Sequence, residues 1–156
     1  MKKLFAAAWI IALSLFNAAY ATAGNDIMIM NAWARVSAPG APSAGFMTVT
    51  NHGSEDDVLL DVSGDFAKKL ELHRTQQVDG VMKMIHQKDG VVIPAGGSVI
   101  FKPGDYHLMF MGLYKNFELG ETYNVTLTFK NAGDMKVELP VQSGDIKMDM
   151  NHQHKN

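Results

Sequence analysis

In Leu72-His73-Arg74-Thr75-Gln76-Gln77-Val78-Asp79-Gly80-Val81-Met82-Lys83-Met84-Ile85-His86, two strand-forming runs flank the pair Asp79-Gly80. A two-residue Asp-Gly link between such runs is the signature of a hairpin closed by a type I′ turn. With Asp79 and Gly80 at its centre, facing residues sum to 159, so His73 lies opposite His86 and Thr75 opposite Met84. Side chains alternate along a strand, which puts His73, Met82, Met84 and His86 on one side of the hairpin. Met84 is diagonal to His73, within reach of a shared ion.

On either side of this hairpin the same punctuation recurs. Strands are expected at Ile27–Arg35, Gly45–Asn51, Val58–Val62, Lys69–Gln76, Val81–Gln87, Val91–Ile93, Ser98–Phe101, His107–Leu113, Asn124–Lys130 and Met135–Val141. Between them lie turn signals such as Pro39-Gly40, Asp89-Gly90, Pro94-Ala95-Gly96-Gly97, Pro103-Gly104-Asp105 and Asn131-Ala132-Gly133-Asp134. Many short strands and no long 3.6-period segment predict an all-β, antiparallel sandwich or barrel without internal repeats.

The chain opens Met1-Lys2-Lys3, runs apolar from Leu4 to Phe16 and turns small and polar by Ala19-Tyr20-Ala21-Thr22-Ala23. That is the pattern of a secretory signal peptide over residues 1–23, cleaved after Ala21 or Ala23. Ser14 and Asn17 interrupt the apolar run before it reaches the length of a membrane span. These features predict an exported domain at 24–144, soluble after cleavage, followed by a mobile tail at 145–156. The chain has no cysteine, so neither disulfides nor a lipid-bearing cysteine is available.

Without Lys2 and Lys3, the 14 basic residues become 12 against 16 acidic ones, a net charge of −4 with histidines neutral. Nucleic acid is excluded as a partner on that balance, since phosphate binding needs clustered basic side chains. No nucleophile-and-base arrangement is visible, which argues against an enzyme. Of 11 methionines only Met1 belongs to the leader. So large a share exceeds what gap-filling in a core requires.

A second group follows the hairpin. In His107-Leu108-Met109-Phe110-Met111, alternation sets His107, Met109 and Met111 on one face and Leu108 and Phe110 on the other. Any one of these methionines would serve as ordinary packing; two groups, each offering His and Met on one face, point to a mixed imidazole and thioether site. Uncharged, soft thioether sulfur suits Cu(I) and offers little to Zn²⁺, Mg²⁺ or Ca²⁺. A blue-copper electron carrier is excluded, because it needs a cysteine thiolate. The alternative is an exported recognition module whose methionines form an adaptable contact surface.

Asn31-Ala32-Trp33-Ala34-Arg35, Gly45-Phe46-Met47-Thr48-Val49-Thr50-Asn51, Glu71-Leu72-His73, Val81-Met82-Lys83-Met84, Ile93-Pro94-Ala95-Gly96-Gly97 and Lys102-Pro103-Gly104-Asp105-Tyr106-His107-Leu108-Met109 together resemble the periplasmic copper chaperones of the PCuAC type. The resemblance implies a cupredoxin-like or immunoglobulin-like Greek-key sandwich. It also implies delivery of Cu(I) to a copper-accepting protein, an oxidase subunit or its assembly factor, toward a terminal-oxidase copper centre. The family's metal motif is a His, ten residues, a Met, about twenty-one residues and His-x-Met. His73, Met84, His107 and Met109 match it, with 22 residues between Met84 and His107. His86, Met82 and Met111 are reserve ligands. Trp33 and Arg35 are read as structural, with Trp33 expected in the core. The tail repeats this chemistry at Met148, Met150, His152 and His154, which predicts a second, weaker site favouring Cu(II).

Overall fold

The structure, a computed structural model, describes residues 26–144. The expected signal peptide and tail lie outside the described residues. Ten strands follow in chain order: β1 Ile27–Arg35, β2 Ser43–Asn51, β3 Asp57–Ser63, β4 Ala67–Val78, β5 Val81–His86, β6 Val91–Ile93, β7 Ser98–Phe101, β8 Tyr106–Leu113, β9 Thr122–Phe129 and β10 Gly133–Gln142. Each coincides with a segment expected from the sequence, to within two residues at either end. Among the described residues there is no helix, hence none long and apolar enough to cross a membrane.

The strands run in the order β5-β4-β8-β2-β1-β10-β9-β3-β6, with β7 beside β2. One edge of β2 is shared, its first residues pairing with β8 and its last with β7. Pairing is antiparallel except between β1 and β10, which run parallel at Ala34↔Val141 and Arg35↔Gln142. That short parallel step joins a layer of β5-β4-β8-β2-β1 to a layer of β10-β9-β3-β6, giving the all-β sandwich.

Alternation builds the core between the layers. From the first come Leu72, Leu108, Phe110, Val49 and Phe101; from the second come Leu59, Val125, Leu127, Phe129 and Leu139, all buried. Phe66 ties the layers together, its ring lying 5.1 Å from Phe110, 5.3 Å from Phe117 and 5.2 Å from Tyr123. Gly45 is small for a packing reason, since a Cβ there would sit 2.8 Å from the Phe110 ring.

The Asp79-Gly80 turn forms as the sequence predicts. Both residues have positive φ, 53° and 79°, as a type I′ turn requires, and His73 pairs with His86 and Thr75 with Met84. Trp33 corrects an expectation. Register shifts between Met30 and Trp33, and Asn31 adopts a positive φ of 52°. Trp33 is consequently half-buried on the outer face of the first layer, its ring 4.6 Å from that of Phe46.

Candidate metal centre

Because Leu72, Leu108 and Phe110 point into the core, their neighbours in sequence point out of it. Glu71, His73 and Thr75 of β4 therefore share the outer face of the first layer with His107, Met109 and Met111 of β8. Pairing then aligns three histidines in a transverse row. His86 of β5 faces His73, and His73 faces His107 across its other edge. The His73 ring lies 5.6 Å from His86, stacked, and 5.9 Å from His107, edge-on.

The thioethers flank this row. Met84 faces Thr75 on one side, and Met109 faces Glu71 and Ala44 on the other. A cavity of about 200 Å³ opens between them, lined by Met84, Met109, His107 and Thr75 and walled by Arg35, Phe46, Pro42, Ser43, Ala44, Pro103 and Gly104. Thus Met84, His107 and Met109 share one cavity, and His73 stands on the adjacent strand, off the lining but against the His107 ring. Met111 pairs with Lys69, further along β8, and Met82 pairs with Gln77 toward the hairpin tip; neither lines the cavity. The tail residues Met148, Met150, His152 and His154 lie outside the described residues.

Hydrogen bonding fixes which nitrogen each imidazole offers. His107 Nδ1 lies 2.9 Å from the backbone carbonyl of Asp105. A carbonyl can only accept, so Nδ1–H donates and the lone pair of the neutral ring is on Nε2. Burial is the main cause that pushes the His107 pKa below 6.5, with the Asp105 carbonyl opposing it, and so keeps the ring neutral. His73 Nε2 lies 2.8 Å from Glu71 Oε2. Hydrogen bonds from Lys69 first, then from His73, bring the Glu71 pKa down to about 2, so it is a carboxylate that accepts the His73 Nε2–H and leaves the lone pair on Nδ1.

Those two lone-pair atoms, His73 Nδ1 and His107 Nε2, are buried and make no hydrogen bond. A buried polar nitrogen without a partner is costly, and a metal ion is one group that satisfies it. Among the described residues no three His, Asp or Glu side chains converge as a metal cage. The harder donors do not complete a site alone, and the neighbouring sulfurs are the available complement.

Glu71 is the residue that sequence reasoning missed. Its Oε1 takes Lys69 Nζ at 2.6 Å and stands 3.5 Å from His86 Nδ1, while Oε2 holds His73. A carboxylate bonded to the far nitrogen of a ligating imidazole fixes the ring and raises its basicity. The available signal was Glu71-x-His73, an acid and an imidazole on one strand face.

This arrangement defines a class, a β-sandwich domain of the PCuAC type, and solved structures agree. The copper-bound PCuAC domain from PmoF2 superposes with a TM-score of 0.63 at 22% identity, covering 76% of this chain and 93% of that one. Cu(I)-loaded DR1885 from Deinococcus radiodurans is 28% identical with a TM-score of 0.57, over 76% of this chain and 80% of its own. The chain belongs to the LpqE-like family, whose model, described as "Putative lipoprotein LpqE-like", matches residues 27–141. A relative from Leifsonia xyli, described as "Putative lipoprotein Lxx21020", is 33% identical over 118 residues, 76% of this chain and 70% of that protein.

Proposed function

We propose that the protein is a copper carrier that takes one Cu(I) ion at His73, Met84, His107 and Met109 and hands it to a copper-accepting protein. The observation that carries this reading is the pair of buried, unpartnered nitrogens, His73 Nδ1 and His107 Nε2, beside a cavity that Met84 and Met109 line. Two neutral imidazoles and two thioethers bring no charge, which suits a soft monovalent ion and leaves divalent metals poorly compensated. The Cu(I) form of DR1885 supports the oxidation state.

Release is built into the same geometry. Met84 is 60% exposed, so an incoming donor can displace it first, while His107, buried and fixed by Asp105, lets go last. Ligand-by-ligand exchange keeps the ion bound throughout. The recipient under this reading is an oxidase subunit or its assembly factor, met in the periplasm after cleavage of the 1–23 leader. Relatives described as lipoproteins support an exported setting. His86, held near Glu71 and stacked on His73, is the replacement imidazole should one be needed.

X-ray absorption of the Cu(I)-loaded protein tests the ligand set. A first shell of nitrogen and sulfur scatterers in equal number is expected. A shell of nitrogen and oxygen alone would remove the thioethers from the site.

A further inference from the structure

We infer that β5 is a docking edge, where an extended segment of the copper-accepting partner, with thiolate, thioether or imidazole side chains at alternate positions, pairs as an added strand. This inference rests on the carrier reading above and names the surface through which transfer occurs.

β5 ends the strand order, so among the described residues one of its edges has no neighbour. Every residue from Val81 to His86 is exposed, with Val81 at 58% and Met82 at 60%. Sheet edges of this kind are usually blunted by proline, a bulge or clustered charge. β5 has no proline, pairs with β4 without a register shift and carries one charge, Lys83. Lys83 and its partner Gln76 lie on the face opposite His73, so Met82, Met84 and His86 leave the site face of the edge uncharged.

The phase of the hairpin decides which main-chain groups are free. In a two-residue hairpin the residues flanking the turn, Val78 and Val81, form a hydrogen-bonded pair, and bonded and non-bonded pairs then alternate. Gln87 N donates to Leu72 O at 2.8 Å, on the same phase. The peptide groups of Val81, Lys83 and Ile85 are thus used against β4, and those of Met82, Met84 and His86 turn outward. A row of alternating N–H and C=O groups is satisfied in full by another extended main chain. A strand added there lies about 4.8 Å from β5, and its site-face side chains fall beside those of Met82, Met84 and His86. A soft donor opposite Met84 then stands at the most exposed ligand of the proposed site. A second copy of this chain fits less well, because antiparallel pairing about Met84 would set that side chain against its own equivalent and close both cavities.

Amide hydrogen exchange of the apo protein, followed by NMR, tests the edge. The probe is a short peptide alternating threonine and methionine, compared with the same peptide N-methylated at alternate residues. Exchange at Met82, Met84 and His86 is expected to slow by about tenfold or more with the first peptide, and not with the second. Unchanged exchange at these three amides, or equal protection by the N-methylated peptide, would overturn the strand pairing. Protection that appears on concentrating the protein alone would instead overturn the partner assignment and make the occupant a second copy. Working with apo protein keeps the two readings separable, since Cu(I) titration can fail while the exchange result stands.

Discussion

Glu71 reaches two of the three histidines, His73 and His86, and its carboxylate sets the orientation of His73. Glu71→Gln keeps an oxygen near His73 Nε2 but removes the charge, and should weaken Cu(I) binding by about 10–100-fold, the usual cost of losing such an outer partner. The carboxyl group also links stability to pH. Its folded pKa of about 2 is below the ordinary 4.5, so its contribution is complete above pH 4.5 and is lost as pH falls through about 2. Denaturant midpoints of the parent and Glu71→Gln should differ most above pH 4.5 and converge in strong acid. His107 works in the same direction. Its depressed pKa means that the unfolded chain takes up the proton more readily than the fold does, so stability is lost as pH drops below 6.5.

Among the elements, the β4–β5 hairpin is where local chemistry and the site meet. Gly80 has φ of 79°, and a Cβ added there would meet nothing within 4 Å, so Gly80→Ala costs backbone strain and not a clash, about 1 kcal/mol. Because β5 is exposed along its whole length, that cost falls on the hairpin. Cu(I) affinity should drop several-fold while the denaturation midpoint of the whole domain moves little.

The hairpin also shows why some of the molecule was legible in sequence and some was not. Its register follows from two turn residues and simple alternation, and so did the sharing of one face by His73, Met84 and His86. The placement of β8 on the far edge of β4, which sets His107 opposite His73, depends on contacts distant in sequence; spacing alone yields two groups and no relation between them. Trp33 was expected in the core and lies outside it for a local reason, since the irregularity at Asn31 turns Ala34 inward and Trp33 outward. The parallel pairing of Ala34 and Val141 left no mark in either strand's pattern.

For the molecule as a whole, the sandwich carries the candidate site on the outer face of its first layer. Phe117 is fully buried in the β8–β9 connection and stacks on Tyr123 at 3.9 Å. Phe117→Ala should cost about 3–5 kcal/mol and loosen the layers without touching a ligand, read as a large loss of denaturant midpoint. The tail at 145–156 is expected to bind Cu(II) through His152 and His154, more weakly as pH falls through about 6.5. Truncation after Gly144 should abolish Cu(II) binding and leave Cu(I) binding intact; retained Cu(II) binding would make the tail a bystander.

Whether His73, Met84, His107 and Met109 hold Cu(I) is decided by competition titration against a chelator, run on the parent, Met109→Leu and His73→Ala. Met109→Leu nearly conserves volume and should cost less than about 1.5 kcal/mol of stability. Tight 1:1 binding by the parent and sharply weakened binding by both folded variants are expected. Parent-like Cu(I) affinity in folded Met109→Leu would contradict the assignment, leaving His107-Leu108-Met109 as packing and the carrier without its site.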